Sequence, residues 1–207
     1  MDQILIIIFQ LIVLLFSVII HEVSHGLAAY RLGDPTAKNA GRLTLNPIKH
    51  LDFFGSFLLP LTLFIFKSPV LFGWAKPVPF NPIYLKNQKR DSALIGLAGP
   101  GSNFLIAVIF GLIAKILVGV GVISPLLIFF DVIIFINIAL GVFNLLPVPP
   151  LDGSKIIFYF FPASAEKYEI MLEQYGVFIL LFVIFFGLGF IFPIINFIYG
   201  FLGAGIL

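Results

Sequence analysis

Long runs of apolar residues separated by short polar segments dominate the chain. The first run, at residues 4–30, is long enough to cross the ~30 Å hydrocarbon core of a bilayer with some tilt. Two more apolar helices are predicted over about 91–118 and 125–146, and the second ends where Pro147 bars its continuation. A short amphipathic helix is predicted at 152–161. The pattern therefore predicts several membrane-spanning helices.

Two segments depart from the pattern of simple spans. Residues 51–66 are apolar but contain Gly55 and Pro60 and are short for a full crossing, which favours a re-entrant segment shielded by protein. Residues 36–49 alternate polar and apolar positions, which predicts one or two short strands. We expect these strands to form a short membrane-associated β-hairpin.

The C-terminal part contains two apolar runs, at about 170–186 and 188–206, which predict a closing helical hairpin. The predicted fold class is an all-α polytopic membrane protein with about five transmembrane helices, a re-entrant segment and the β-hairpin. We expect a single intramembrane domain over residues 1–207. Its core is predicted at 4–161 and the C-terminal helical hairpin at about 168–206.

Composition agrees with a membrane protein. Of the 207 residues, 60% are hydrophobic and only 11% are charged, and the mean hydropathy is +1.14. A soluble domain of this length would need far more charge to cover its surface. The net charge of +2 is too small to indicate a nucleic-acid partner, and the chain has no cysteine to act as a thiolate ligand or nucleophile. The lipid bilayer is the expected surrounding.

The distribution of charge predicts the topology. The loops at 31–49 and 67–90 are rich in lysine and arginine, whereas the breaks at 119–124 and 187–189 carry no charge. The positive-inside rule places both basic loops in the cytoplasm and both uncharged breaks outside. The two basic loops can share a side only if 51–66 does not span alone. We therefore expect a multi-pass protein of the cell membrane.

A His-Glu-x-x-His pattern lies near the end of the first apolar run, at His21, Glu22 and His25. On a helix, residues i and i+4 share one face, so two neutral imidazoles could hold one Zn²⁺. Glu22 could then act as general base toward a water that the metal activates. This short pattern also occurs by chance on solvated helix faces, but an apolar run offers no such face.

The third ligand is less clear from spacing. The candidates are His50 and several acidic residues, among which Asp152 stands out because it follows the proline-rich segment 147–150. The predicted topology brings Asp152 to the same side as the two histidines. Spacing alone nevertheless favours an ordinary helix N-cap for Asp152, because aspartate is preferred there and Gly153 follows.

Five motifs give the chain a recognisable resemblance. In order they lie at 21–26 (HEVSHG), 41–47 (GRLTLNP), 72–79 (FGWAKPVP), 98–104 (AGPGSNF) and 144–153 (NLLPVPPLDG). The chain resembles the site-2 protease family of intramembrane zinc metalloproteases in its compact prokaryotic form. The resemblance covers residues 21–153, and its first and last motifs together are very specific.

The resemblance implies roles that spacing does not give. It implies that Asp152 is the third Zn²⁺ ligand beside His21 and His25, and that Glu22 is the general base. It also implies a transmembrane protein substrate cut within or near the bilayer on the cytoplasmic side, as in regulated intramembrane proteolysis of a membrane-bound transcriptional regulator or anti-sigma factor. Many relatives carry a PDZ or CBS domain, and we expect neither here.

Other polar residues near the predicted site allow two interpretations each. Asn144 could bind the substrate backbone or an oxyanion, or make an interhelical hydrogen bond. Asn103 could contribute to substrate binding, although its glycine-rich surroundings favour close helix packing. His50 could be an outer partner of the metal centre or an interfacial residue. Asp131 is expected near the outer interface and not as a ligand.

Two functional hypotheses accompany this assignment. An exposed edge within 36–49 could pair with an unwound segment of the substrate. The alternative to a protease is a transporter or a proton or ion path built from the buried His, Glu and Asp residues. A conduction path needs polar groups across the whole bilayer depth, whereas these groups gather at the predicted cytoplasmic third.

Overall fold

The described residues form an entirely helical structure. The computed structural model describes residues 3–52, 76–122 and 124–203, together with positions 55, 58, 61, 62, 65 and 66. All regular elements in this part of the chain are helices, which confirms the predicted all-α class. The predicted re-entrant segment at 51–66 lies largely outside the described residues and stays a prediction.

Seven α-helices lie within the continuous described ranges 3–52, 76–122 and 124–203. They are α1 (Gln3–Arg31), α2 (Thr36–Asn39), α3 (Gln88–Gly119), α4 (Leu127–Asn144), α5 (Asp152–Phe160), α6 (Glu166–Phe182) and α7 (Leu188–Leu202). A π-helical turn, Val183–Gly187, joins α6 to α7. Short 3₁₀ helices lie at Pro47–Lys49, Pro82–Tyr84 and Ala163–Ala165.

Four helical stretches of the described chain are long and apolar enough to cross a membrane. They are α1, α3, α4 and the continuous stretch Glu166–Leu202. The first three agree with the predicted helices within one turn at each end, because long apolar periodicity and flanking turn residues locate such helices well. The predicted number of about five spans is not confirmed.

The predicted C-terminal hairpin is wrong. Residues Glu166–Leu202 form one helical stretch of 37 residues, which is ~55 Å long. Gly187 and Leu188, at the expected break, keep helical dihedral angles. A turn surrounded by hydrocarbon would leave backbone groups without hydrogen-bond partners. The helix therefore continues through Gly187.

The predicted β-hairpin at 36–49 does not form either. This segment contains α2 and the Pro47–Lys49 3₁₀ helix, and none of its residues, all of which are described, is in a strand. The Asp34 side chain accepts a hydrogen bond from the Thr36 amide, and Asn46 accepts one from the Ile48 amide. Both are local side-chain contacts that favour helical turns over an extended chain. Local side-chain hydrogen bonds thus outweigh the alternating pattern.

Helix α3 is the centre of the packing. It contacts α1 on one side, α4 on another, and α5 at its N-terminal half, while α4 also packs on α1 and α7. The largest buried apolar cluster joins α3, α4 and α7, through Ala107, Ala114, Ile134, Ile138, Val142, Ile191 and Ile195. This arrangement brings the C-terminal end of α1, which is predicted to face the cytoplasm, against the start of α5.

Candidate metal centre

Helix α1 presents two histidines on one face, as their spacing predicts. His21 and His25 are 6% and 8% exposed, and their Nε2 atoms lie 3.0 Å apart. The two rings meet edge to face with centroids 4.6 Å apart. The two ring nitrogens therefore converge on one point rather than on solvent.

Asp152 completes the cluster from the first turn of α5. Its Oδ2 lies 3.1 Å from His21 Nε2 and 3.0 Å from His25 Nε2. The N-cap position of α5 belongs to Leu151, and no side chain caps that helix. The N-cap role that spacing favours for Asp152 is therefore wrong, and the juxtaposition that the topology predicts is confirmed.

Gly153 allows α5 to begin this close to the end of α4. A Cβ atom at this position would lie 2.2 Å from the Leu145 carbonyl oxygen, and real Cβ atoms essentially never approach so closely. A larger residue would push the start of α5 away from α4 and carry Asp152 with it. The glycine after the aspartate thus sets the position of the carboxylate.

The residues present fit a catalytic zinc ion. His21, His25 and Asp152 each offer one ligand atom, and these atoms lie within 4.8 Å of one another. Two nitrogens and one oxygen are a donor set that catalytic zinc sites use, with one coordination position left for water or substrate. Gly99 of α3 faces the same point, and a Cβ there would lie 2.4 Å from His25 Nε2 and 2.6 Å from His21 Nε2.

Each of the three ligands has a partner on its far side. His25 Nδ1 donates to the Ile95 carbonyl at 2.6 Å, and His21 Nδ1 lies 2.6 Å from Asn103 Oδ1. Lys155 Nζ donates to Asp152 Oδ1 at 2.9 Å, which leaves Oδ2 directed at the histidines. Such outer partners orient metal ligands and tune their basicity.

The pKa of Asp152 lies well below its usual range. Burial alone would raise that pKa, but hydrogen bonds with His21 and His25, when these carry a proton on Nε2, and the charge of Lys155 outweigh the effect of burial. The carboxyl group is therefore ionised at neutral pH, which is the form that binds a metal.

Glu22 lies at the mouth of the cluster. Its Oε2 accepts a hydrogen bond of 2.8 Å from the Val78 amide. The cleft beside it measures about 210 Å³ and is lined by both histidines and Asp152 and by residues of four other segments. Its further lining residues are Pro77, Val78, Phe80, Ile95, Asn144, Pro150 and Lys155. A peptide segment would thus meet the ligands and Glu22 together.

The segment 76–80, which is in no helix or strand, forms one wall of this cleft. At one end, Arg42 Nη2 donates to the Lys76 carbonyl at 2.5 Å. At the other end, the Asn81 amide donates to Asp34 Oδ2 at 2.6 Å. Sequence reasoning did not assign Arg42 to the site, although Arg42 belongs to the motif at 41–47, and it considered Asp34 only as one of several acidic candidates for the third ligand.

Of the other polar residues that the sequence suggested for the site, one lines the cleft and two do not. Asn144 lines the cleft, and its Nδ2 donates to the Leu140 carbonyl, so its proposed role in substrate binding stays a prediction. Asn103 is fully buried behind His21 and does not line the cleft, which makes it a partner of the ligand. His50 lies apart, with Nε2 2.7 Å from the Thr44 carbonyl oxygen.

Asp131 lies near the start of α4, and its expected position near the outer interface stays a prediction. It is fully buried between α4 and α7, where Oδ1 accepts a hydrogen bond of 2.8 Å from the Tyr199 hydroxyl. As expected, it is not part of the three-residue group that could hold a metal.

Comparisons with known proteins find a peptidase family and relatives named putative zinc metalloproteases. The profile of peptidase family M50 matches residues 122–186. The chain is 39% identical over 196 residues to the putative zinc metalloprotease YwhC of Bacillus subtilis, covering 91% of this chain and 86% of that protein. It is 30% identical to the putative zinc metalloprotease MJ0611 of Methanocaldococcus jannaschii, covering 75% and 72%. It is 31% identical to the putative zinc metalloprotease Rip2 of Mycolicibacterium smegmatis, covering 67% and 52%. No solved structure matches the chain.

Proposed function

Because this chain belongs to peptidase family M50, the site-2 protease family, we propose that it is an intramembrane zinc metalloprotease acting on membrane-embedded helices. The observation that carries the proposal is the meeting of His21, His25 and Asp152 at one point beside Glu22. Residues 131 positions apart in sequence converge there with the donor set of a catalytic zinc. Ordinary helix packing does not require that convergence.

The chain's own residues suit peptide hydrolysis. The chemistry that zinc supplies when bound is Lewis acidity, which activates water and stabilises negative charge on a carbonyl oxygen. Glu22 takes a proton from the attacking water and later returns it to the leaving amine. The Val78 amide holds Oε2 of Glu22, so Oε1 is the oxygen that receives the proton. Asn144, in the same cleft, positions the substrate backbone.

The substrate must present an extended segment. A helix hides its carbonyl groups in hydrogen bonds to residue i+4, so the scissile region has to unwind before it enters the cleft. The edge at 36–49 that sequence analysis proposed for pairing with this segment does not exist. Among the described residues that line the cleft, those of the wall at 76–80 are in no helix, and Val78 contacts Glu22.

The site faces the cytoplasm in this proposal. The segments beside it, at 31–49 and 86–90, hold many basic residues, whereas the connection at 120–126 holds no charged residue. The positive-inside rule therefore supports a cell-membrane protein with cytoplasmic hydrolysis. A membrane-bound transcriptional regulator or anti-sigma factor, cleaved in regulated intramembrane proteolysis, is the substrate class that this placement suits. The metalloprotease names of the relatives favour hydrolysis over an ion path.

An isosteric substitution that removes the charge of the proposed base tests the proposal. Glu22→Gln keeps an acceptor for the Val78 amide but removes the proton acceptor, so cleavage of a single-span substrate in liposomes should fall by at least ~100-fold. Zinc content, measured by elemental analysis, should stay the same as in the wild type.

The matched control is Glu173→Gln, the same chemical change on an exposed position of α6. It should cleave the substrate at the wild-type rate. Wild-type cleavage by Glu22→Gln, or cleavage that persists after complete removal of zinc by a chelator, would contradict the proposed function.

A further inference from the structure

A chain of polar side chains crosses three spanning helices behind the metal centre. It runs from His21 on α1 to Asn103 on α3 and Asn137 on α4, and returns to Ser17 on α1. Asn103 and Asn137 are fully buried. Burying an amide side chain costs free energy unless the amide is hydrogen-bonded, and each of these two amides has partners. The orientation of each amide decides which of its atoms faces which partner.

The partners determine which way each amide points. The Ile133 carbonyl can only accept, so the Asn137 atom 2.9 Å from it is Nδ2. Oδ1 of Asn137 therefore faces Asn103 at 3.0 Å, and the Asn103 atom that meets it is Nδ2. The same Nδ2 also approaches the Ser17 carbonyl at 3.4 Å. Oδ1 of Asn103 is then the atom at 2.6 Å from His21 Nδ1, and that ring nitrogen carries the hydrogen.

This direction decides the tautomer of His21. With hydrogen on Nδ1, the lone pair of Nε2 points at the metal position. His25 obtains the same tautomer from the Ile95 carbonyl, a backbone acceptor that cannot reverse. The acceptor for His21 is instead an amide side chain. A half-turn of Asn103 would place its NH₂ group against Nδ1 and favour the tautomer whose Nε2 cannot bind a metal.

We propose that Asn137 is a positioning residue: it holds Asn103 in one orientation and thereby keeps the Nε2 lone pair of His21 directed at the metal. The inference rests on the proposed function, since it concerns the ligand of the zinc ion. The Ser17 carbonyl is the more distant of the two acceptors for Asn103, so Asn137 supplies the main restraint. No polar atom of Asn137 touches His21 or lines the cleft.

The test removes the hydrogen-bond acceptor that Asn137 provides to Asn103 and measures zinc affinity. Asn137→Leu removes the acceptor for Asn103, and zinc affinity, measured by competition with a chromophoric chelator, should fall ~10-fold as for other outer-sphere partners. Asn137→Ala removes the same acceptor with less bulk and serves if the leucine variant fails to fold. Thermal unfolding in detergent reports whether each variant is folded.

A second substitution separates orientation from packing. In Asn103→Asp both side-chain oxygens accept, so His21 Nδ1 finds an acceptor whichever way the side chain turns. No N–H then faces Oδ1 of Asn137, so adding Asn137→Leu to Asn103→Asp should cause no further loss of zinc affinity. A residue that only packs helices would weaken zinc binding equally in both backgrounds.

The outcomes distinguish this inference from the proposed function. Wild-type zinc affinity in Asn137→Leu or Asn137→Ala, or an equal loss in the Asn103→Asp background, would overturn the role of Asn137 while the protease proposal stands. A wild-type protein that binds no zinc under metal-replete conditions would overturn both. We expect Asn137→Leu to lower zinc affinity ~10-fold in the protein that keeps Asn103 and not in Asn103→Asp.

Discussion

Gly99 matters to the metal centre as much as the side chains that would bind the ion. It lies on α3 with its Cα hydrogen facing the two histidines, and a Cβ there would lie within 2.6 Å of both Nε2 atoms. No rearrangement of one ring alone would relieve both contacts. The close approach of α3 to α1 at this residue is therefore a condition for the histidines to converge.

Gly99→Ala should consequently abolish stoichiometric zinc binding, because the added methyl occupies the space that the ion and the ring nitrogens share. The helix itself should be preserved, since alanine favours helices more than glycine does. Elemental analysis of purified protein measures the effect. Gly101→Ala is the control, since a Cβ there meets no atom within 4 Å and zinc content should stay the same. Equal zinc content in both variants would contradict this description of the site.

At the scale of elements, the wall at 76–80 depends on contacts with the loop that follows α1. Asp34 uses both carboxylate oxygens, accepting from the Thr36 amide and hydroxyl at Oδ1 and from the Asn81 amide at Oδ2. Arg42 holds the other end of the wall through the Lys76 carbonyl. The wall in turn fixes Glu22 through Val78. The orientation of the proposed base is thus set from outside α1.

The carboxylate of Asp34 should give a characteristic pH dependence of stability. Burial would raise the pKa of Asp34, but hydrogen bonds from Thr36 and Asn81 outweigh it and hold that pKa below its ordinary value. The stabilisation is therefore complete above the unfolded-state pKa of ~3.9 and is lost as pH falls through the lower folded-state pKa. Asp34→Asn lacks one acceptor and should cost about 1–3 kcal/mol at neutral pH.

Thermal unfolding of wild type and Asp34→Asn between pH 7 and pH 3 checks this. The difference in Tm should be constant at neutral pH and narrow only in the acid range below ~4. A difference that already narrows near pH 6, or that is absent at pH 7, would show that the Asp34 hydrogen bonds do not anchor the wall.

At the scale of the whole molecule, the sequence predicted the parts that depend on long periodic patterns and on the motifs. The spans α1, α3 and α4 follow from apolar runs long enough to cross a bilayer. The meeting of His21 with Asp152 follows from the topology that the basic loops imply. Both hold because a bilayer permits few arrangements of such segments.

The errors have local causes. Alternation at 36–49 indicated strands, but the side chains of Asp34 and Asn46 start helical turns there. A glycine near 187 indicated a turn, but a helix surrounded by hydrocarbon keeps its hydrogen bonds through a glycine. Asn137 was not recognised because a single amide in an apolar helix has no motif, and its role depends on a contact with Asn103 that only the packing of α3 on α4 creates.

The central claim is that His21, His25 and Asp152 bind one zinc ion, and the zinc content of Asp152→Ala tests it most directly. Purified wild type and the control Asp131→Asn, altered at a buried acid outside the cluster, should each hold about one zinc per chain by elemental analysis. Asp152→Ala should hold much less, because two histidines alone do not complete the site. Full zinc occupancy in Asp152→Ala would contradict the account.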